Sequence, residues 1–280
     1  MTSVAFVTGA SSGIGEQTVK CLLDAGYLVY AGARRIDRMQ TLAAAGARLI
    51  TLDVSDDASM TAAVKRIVDE TSRIDVLVNN AGYGSYGALE DVPLEEARRQ
   101  FEVNVFGLAR LIQLTLPTMR AQRSGYIVNV SSIGGVIGEP FGSWYHATKF
   151  AVEGLSDSLR MELHPFGIHV VVIQPGAITT EWNPIAREGL LRYSGNGPYR
   201  EGAHAHATFL AGADQGSVPS PPSVVATAIV QAVQTPNPRT RYAVGGGAKV
   251  LLFVRFLLSD RAFDAVMRML ERQANKASLR

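Results

Sequence analysis

Tyr145 and Lys149 stand four residues apart in Tyr145-His146-Ala147-Thr148-Lys149, so on a helix both side chains lie on one face. A phenol titrates near 10 when unperturbed, too high for efficient proton exchange near neutrality. An adjacent ammonium, together with a nicotinamide cation, favours the phenolate and lowers that value. Such a pair can give a proton to a carbonyl oxygen or take one from an alcohol. By itself it recurs by chance on solvated helix faces, and its weight comes from a second feature. Thr8-Gly9-Ala10-Ser11-Ser12-Gly13-Ile14-Gly15 follows an apolar run and opens a helical one. Glycines there let the backbone turn sharply and approach a pyrophosphate, whose charge sits at the positive end of the helix. About twenty positions on, where a carboxylate would hold the 2′-hydroxyl of NAD, the chain has Ala33 followed by Arg34 and Arg35. Without the carboxylate a 2′-phosphate is not repelled, and Arg34 can grip it in a forked contact, so the expected cofactor is NADP(H).

These residues need a frame. Short runs apolar at nearly every position, at Val4–Thr8, Leu28–Ala33, 48–52, Val76–Asn79, Gly125–Val130 and 169–174, read as strands covered on both faces. Between them apolar residues recur at helical spacing, as in Phe101, Val105, Leu108, Ile112 and Leu116. Alternating strands and helices of this kind predict one α/β domain over 1–280, a Rossmann-like doubly wound parallel sheet with helices on both faces. Residues 181–222 are rich in Gly, Pro, His and Tyr with weak periodicity. They read as a substrate lid after a strand end, with Trp182, Leu190, Leu191, Tyr193 and Phe209 as its apolar lining. A helix at 224–233, a strand at Arg241–Val244 and a helical tail at 245–280 complete the chain.

Further motifs stand in order. Asn79-Asn80-Ala81-Gly82 closes the fourth strand, Asn104 lies in Glu-Val-Asn-Val-Phe-Gly, Ser131-Ser132 follows the fifth strand, and Pro175-Gly176-Ala177-Ile178-Thr179-Thr180 follows the sixth. With the glycine turn and Tyr-x-x-x-Lys, the sequence resembles the short-chain dehydrogenase/reductases, closely over residues 3 to 182. The resemblance implies an oxidoreductase of alcohols and carbonyls in which Tyr145 is the proton donor. Ser132, thirteen residues ahead of it, holds the substrate oxygen. Lys149 bonds the nicotinamide ribose, and Asn104 anchors a water that extends a proton relay. It also implies cofactor contacts from Gly9, Ser11, Ser12, Gly13, Ile14, Gly15, Arg34, Asp53, Val54, Asn80, Ala81, Gly82, Tyr145, Lys149, Pro175, Gly176, Ile178 and Thr180. For Asp53 the choice lies between an adenine-edge contact and a turn-capping aspartate. The 236–242 motif and the Leu- and Phe-rich end resemble the 17β-hydroxysteroid and retinol dehydrogenase-like branch, implying a bulky apolar substrate. The alternatives are a reductase of small aldehydes or ketones and a non-catalytic dinucleotide sensor, which would be expected to lose Tyr145 or Lys149. A homodimer or homotetramer built on helices around 94–122 and 143–164 is also implied.

Composition narrows the remaining classes. With 280 residues, 47% apolar, 19% charged and a net charge of +2, the chain has no basic excess for nucleic acid. One cysteine, Cys21, asks for no oxidising compartment, and a cytoplasmic location with no integral membrane segment is expected. His204 and His206, two apart and without a Cys, Asp or Glu cluster, do not predict a metal site. The apolar run 250–258 is short and contains Arg255. It reads as a helix packed on the subunit or across the lid, or as a peripheral membrane attachment.

Overall fold

A computed structural model describes residues 2–212 and 219–278. Its strands are β1 (Val4–Thr8), β2 (Leu28–Ala33), β3 (Arg48–Thr51), β4 (Val76–Asn79), β5 (Gly125–Val130), β6 (Ile168–Pro175) and β7 (Arg241–Val244). They form one sheet in the order β3-β2-β1-β4-β5-β6-β7, and every pairing is parallel. The helices are α1 (Gly13–Asp24), α2 (Gln40–Ala44), α3 (Asp57–Thr71), α4 (Leu94–Phe101), α5 (Gly107–Gln122) and α6 (Ser143–Leu163). After these come α7 (Trp182–Ser194), α8 (Arg200–Gly212), α9 (Pro222–Gln234), α10 (Ala248–Leu257) and α11 (Asp260–Ser278).

The continuous apolar strands serve two cores. Val4 and Phe6 of β1 pack with Ile67 of α3, Leu111 of α5 and Val152 of α6. Ala5 and Val7, pointing the other way, pack with Val19 and Leu22 of α1 and Ile229 of α9. Each fully buried Phe or Leu contributes roughly 1.5–3 kcal/mol, so both faces of the sheet must be covered. Strand order reverses between β1 and β4, and the crevice at their carboxyl ends is where such sheets bind ligands.

Two stretches differ from the sequence expectation. Residues 102–106 form a π-turn between α4 and α5, inside what the apolar spacing reads as one helix. Such single turns concentrate at functional sites. Most of 181–212 is helical, as α7 and α8. Their buried faces carry Asn183, Gly189, Ser194 and His206 among the apolar residues, which hides the periodicity.

Candidate active site

One cavity of about 1630 Å3 opens at the strand carboxyl ends. It is lined by Gly9, Ser11, Ser12, Gly13, Ile14, Arg34, Asp53, Val54, Asn80, Ala81, Gly82, Ser132, Tyr145, Lys149, Pro175, Gly176, Ile178 and Thr180. The structure therefore brings together every expected site residue except Gly15 and Asn104.

Gly15 works from behind the turn. A Cβ on it would lie 2.3 Å from the Gly9 carbonyl oxygen and 2.6 Å from Asn80 Nδ2, so only glycine lets α1 start this close. Gly9 and Gly13 have φ of +65° and +56°, the left-handed region that favours glycine. The turn is latched to β4 by Thr8, whose hydroxyl accepts from the Asn80 and Ala81 amides at 3.1 and 3.0 Å. Asn80 Nδ2 donates back to the Thr8 and Gly9 carbonyls at 3.0 and 3.2 Å. Ser12 caps α1 without a side-chain hydrogen bond to the first-turn amides. Gly13 and Ile14 of this first turn line the cavity, and the free amides of a helix start are a donor set suited to a pyrophosphate. The residues present thus fit a dinucleotide.

Asn104, at 2% exposure, is held inside the protein. Its Oδ1 accepts from the Tyr83 amide at 3.1 Å, and its Nδ2 donates to the Tyr83 carbonyl and the Thr148 hydroxyl at 2.9 and 3.1 Å. The side chain positions the 82–86 segment against α6 and lies directly behind Gly82 of the cavity wall, where a Cβ on Gly82 would meet Asn104 Oδ1 at 3.1 Å.

The residues expected to react sit on α6 and just beyond β5. Ser132 follows β5, and its hydroxyl accepts from the Gly134 amide at 3.0 Å. Lys149 Nζ donates to the Val130 carbonyl at 2.9 Å and lies 5.9 Å from the Tyr145 ring centroid. Behind Lys149, Glu153 accepts from Gln174 at 3.0 Å and from Arg241 at 2.9 Å, fixing α6 to β6 and β7. Burial pushes the Tyr145 phenol above its ordinary value; the Ser132 hydroxyl opposes this and the Glu139 carboxylate reinforces it. Burial also lowers Lys149 to about 8, with Glu153 opposing. Among the protein's own groups desolvation therefore dominates at Tyr145 and favours the protonated phenol; the expected lowering joins Lys149 to a nicotinamide cation.

At the adenosine end, Arg34 is exposed beside Asp53. Burial raises the Asp53 carboxyl, but the Ser55 hydroxyl and amide together with Arg34 and Arg99 leave it below its ordinary value. Its Oδ1 accepts from the Ser55 amide and hydroxyl at 2.9 and 2.6 Å, the turn-capping geometry, while the residue still forms cavity wall. Arg35 bonds the Ser11 hydroxyl at 3.3 Å. Arg35 and Arg38 pair with Glu181 at 3.7 and 3.0 Å.

The other end of the cavity is apolar. Trp182 and Phe209 line it as expected, but Leu190 is buried between α7 and α8. Leu191 and Tyr193 are also absent from the wall. Their places are taken by Ile185, Leu210 and the tail residues Val250, Leu251, Val254, Val266 and Leu270. Tyr86 and Trp182 lie 5.8 and 5.0 Å from Tyr145, ring centroid to centroid. His146 is no base: Nδ1 bonds the Gly134 carbonyl at 2.9 Å and Nε2 accepts from the Glu139 amide at 3.1 Å. His206 instead bonds Glu271 of α11 at 3.1 Å. Sequence reasoning missed Thr8, Tyr86 and Arg99, of which only Thr8 carried a signal, standing at the head of the glycine motif; the tail, read as packed on the subunit or across the lid, was not expected to line the cavity.

A glycine-turned Rossmann-like domain with a serine, a tyrosine and a lysine at its switch point defines a nucleotide-dependent oxidoreductase. The family model for short chain dehydrogenase matches residues 3–190, and the chain belongs to the short-chain dehydrogenase/reductase family. It is 35% identical over 266 residues to a probable short-chain type dehydrogenase/reductase of Helicobacter pylori, covering 95% of this chain and 97% of that one. It is 35% identical over 256 residues to mouse 17-beta-hydroxysteroid dehydrogenase type 1, covering 86% and 73%. A solved short-chain dehydrogenase from Streptomyces avermitilis superposes with a TM-score of 0.81 at 36% identity, covering 99% and 97%. Other solved structures of this fold hold NADP or NADPH, and one holds NAD.

Proposed function

We propose that the chain is an NADP(H)-dependent reductase of a bulky apolar carbonyl compound, steroid- or retinoid-like, and the alcohol dehydrogenase of the reverse reaction. The observation that carries this reading is that Ser132, Tyr145 and Lys149 share one cavity with Tyr86, Trp182, Phe209, Leu251 and Leu270. A polar reacting corner with a long apolar wall suits a substrate with one oxygen and a large hydrocarbon body. The activity named for the mouse relative is in keeping with this.

When bound, the dinucleotide supplies the hydride and, once oxidised, a positive ring charge. The α1 amides would hold its pyrophosphate, Lys149 its ribose and Arg34 its 2′-phosphate. The Tyr145 hydroxyl, kept protonated by burial, donates to the carbonyl oxygen, and the Ser132 hydroxyl orients that oxygen. Lys149, at about 8, is largely an ammonium at neutral pH and stabilises the phenolate left behind. The helices that carry Asn104 and Tyr145 expose Leu94, Phe106, Phe150 and Met161, which supports a homodimer or homotetramer. The single cysteine fits work in the cytoplasm. The test is NADPH oxidation with steroid, retinoid and short-chain carbonyls side by side. The bulky compounds are expected to give the highest kcat/KM, and a preference for short-chain carbonyls would overturn the substrate reading.

A further inference from the structure

The outer face of α10, with Phe253, Phe256 and Leu257, takes no part in the cavity or the reaction. Leu251, Val254 and Leu258 turn inward onto Ile137, Phe263 and Met267. The opposite side presents Val250, Phe253, Phe256 and Leu257 at 69, 62, 85 and 61% exposure. Scattered apolar residues on a surface need no explanation, but four on one face of a ten-residue helix form a patch. The charge around it is also uneven. Residues 248–280 carry seven Lys and Arg against three Asp and Glu, whereas the preceding chain carries 20 against 22. Lys249, Arg261, Arg268 and Arg272 are exposed, and none is in an ion pair among the described residues. Two of the three acids are engaged, Asp260 with Arg255 and Glu271 with His206.

We infer that α10 docks the protein on the surface of an anionic lipid bilayer, with Phe253, Phe256 and Leu257 entering the headgroup boundary and Lys249 and the α11 arginines meeting lipid phosphates. An exposed apolar helix face, with Lys249 at its start and a surplus of exposed basic residues on the helix that follows, is the composition of segments that lie in this interface. No helix among the described residues is long and apolar enough to cross a membrane, so the helix lies on the surface. A second copy fits the face less well, because it brings the same basic surplus to the contact, whereas an anionic surface offers the opposite charge. Val250 belongs both to this face and to the cavity wall, beside Leu251 and Val254. If the substrate is apolar, as proposed above, its entrance faces the bilayer; the docking itself does not depend on that reading.

The experiment is co-sedimentation of the full-length protein with vesicles of phosphatidylcholine alone or with about one third phosphatidylglycerol. Wild type should bind the anionic vesicles at least about fivefold more tightly, in line with the attraction of a basic residue near such a surface, and rising salt should weaken it. Lys249→Glu should lower anionic binding by about fivefold or more. Phe253→Ser with Phe256→Ser should lower it by about tenfold or more. Neither Phe lines the cavity, so turnover with a water-soluble ketone and the mass by light scattering should stay unchanged. Failure of wild type to sediment with anionic vesicles, or full binding by the double variant, would overturn the inference. A drop in oligomer mass for the double variant would also overturn it, marking the face as a contact between copies.

Discussion

Replacing Arg34 by alanine should change which dinucleotide the protein prefers while leaving the reacting groups untouched. Ala33 ends β2 nearly buried and without a carboxylate, so the ribose diol of NADH gains no charged acceptor there. Arg34 stands next to it on the cavity wall, where a guanidinium can pair with a 2′-phosphate. A hydrogen bond to a charged group contributes about 1.5–3 kcal/mol. Because Arg34 is exposed, water and salt screen it, and the lower part of that range, about 1.5–2 kcal/mol, applies. At about 1.4 kcal/mol per factor of ten, NADPH affinity should fall roughly 10- to 30-fold, with NADH nearly unchanged. Glu181 sharpens the test. Its carboxylate pairs with Arg35 and Arg38 beside the same position and repels a phosphate. Glu181→Gln should therefore tighten NADPH by about two- to fivefold at low salt, the scale of an exposed pair, without affecting NADH. The assay is fluorescence titration of both cofactors together with kcat/KM for each at one saturating ketone. Equal weakening of both cofactors by Arg34→Ala, or a wild type that uses NADH as well as NADPH, would refute the reasoning.

Three further outcomes are expected. Gly15→Ala, whose Cβ meets the Gly9 carbonyl at 2.3 Å, should cost about 1–3 kcal/mol or more and abolish dinucleotide binding; native Tm and affinity would contradict the packing argument. Lys149 has a folded value near 8 against 10.5 unfolded, so between those pH values the unfolded chain binds more protons and stability rises with pH. Relative to Lys149→Met, the wild type should gain up to about 3 kcal/mol across this window, and a Tm difference that stays flat from pH 7.5 to about 10.5 would exclude it. Limited proteolysis should cut first at the connector between α7 and α8, where Gly197 has a φ of +98°, and NADPH with substrate should slow the cut; equal rates with and without both ligands argue against a closing lid.

Much of the fold, and the gathering of Ser132, Tyr145 and Lys149 into one cavity, was legible because each rested on local chemistry. Strands buried on both faces have no choice but to be apolar throughout, and β1, β2, β4 and β5 begin and end where their residue types change. Ser132, Tyr145 and Lys149 carry their chemistry in their side chains. The places that misled are those where tertiary contact decides. α7 buries Gly189 beside the Tyr86 backbone and tolerates Pro184 in its first turn, so its helical period was diluted. The π-turn at 102–106 adds a residue that apolar spacing does not register, yet it seats Asn104 on Tyr83 and Thr148. The tail's share of the cavity wall depends on α11 reaching α8 through His206 and Glu271, across 65 residues, which no local pattern announces. Likewise, the Tyr145–Lys149 spacing says nothing of the burial that raises the phenol in the protein alone; the expected lowering joins Lys149 to a nicotinamide cation.

The central claim is that Tyr145 donates the proton in a hydride-transfer site, and Tyr145→Phe tests it most directly. The substitution removes only the hydroxyl, leaving the ring against Tyr86 and Trp182. The measurement is single-turnover NADPH oxidation with a saturating ketone, alongside NADPH titration of the same variant. General acid catalysis contributes about 100- to 10,000-fold, so the rate should fall by at least about 100-fold while NADPH affinity stays within about threefold of wild type. A rate within about threefold of wild type, with NADPH bound normally, would contradict the account.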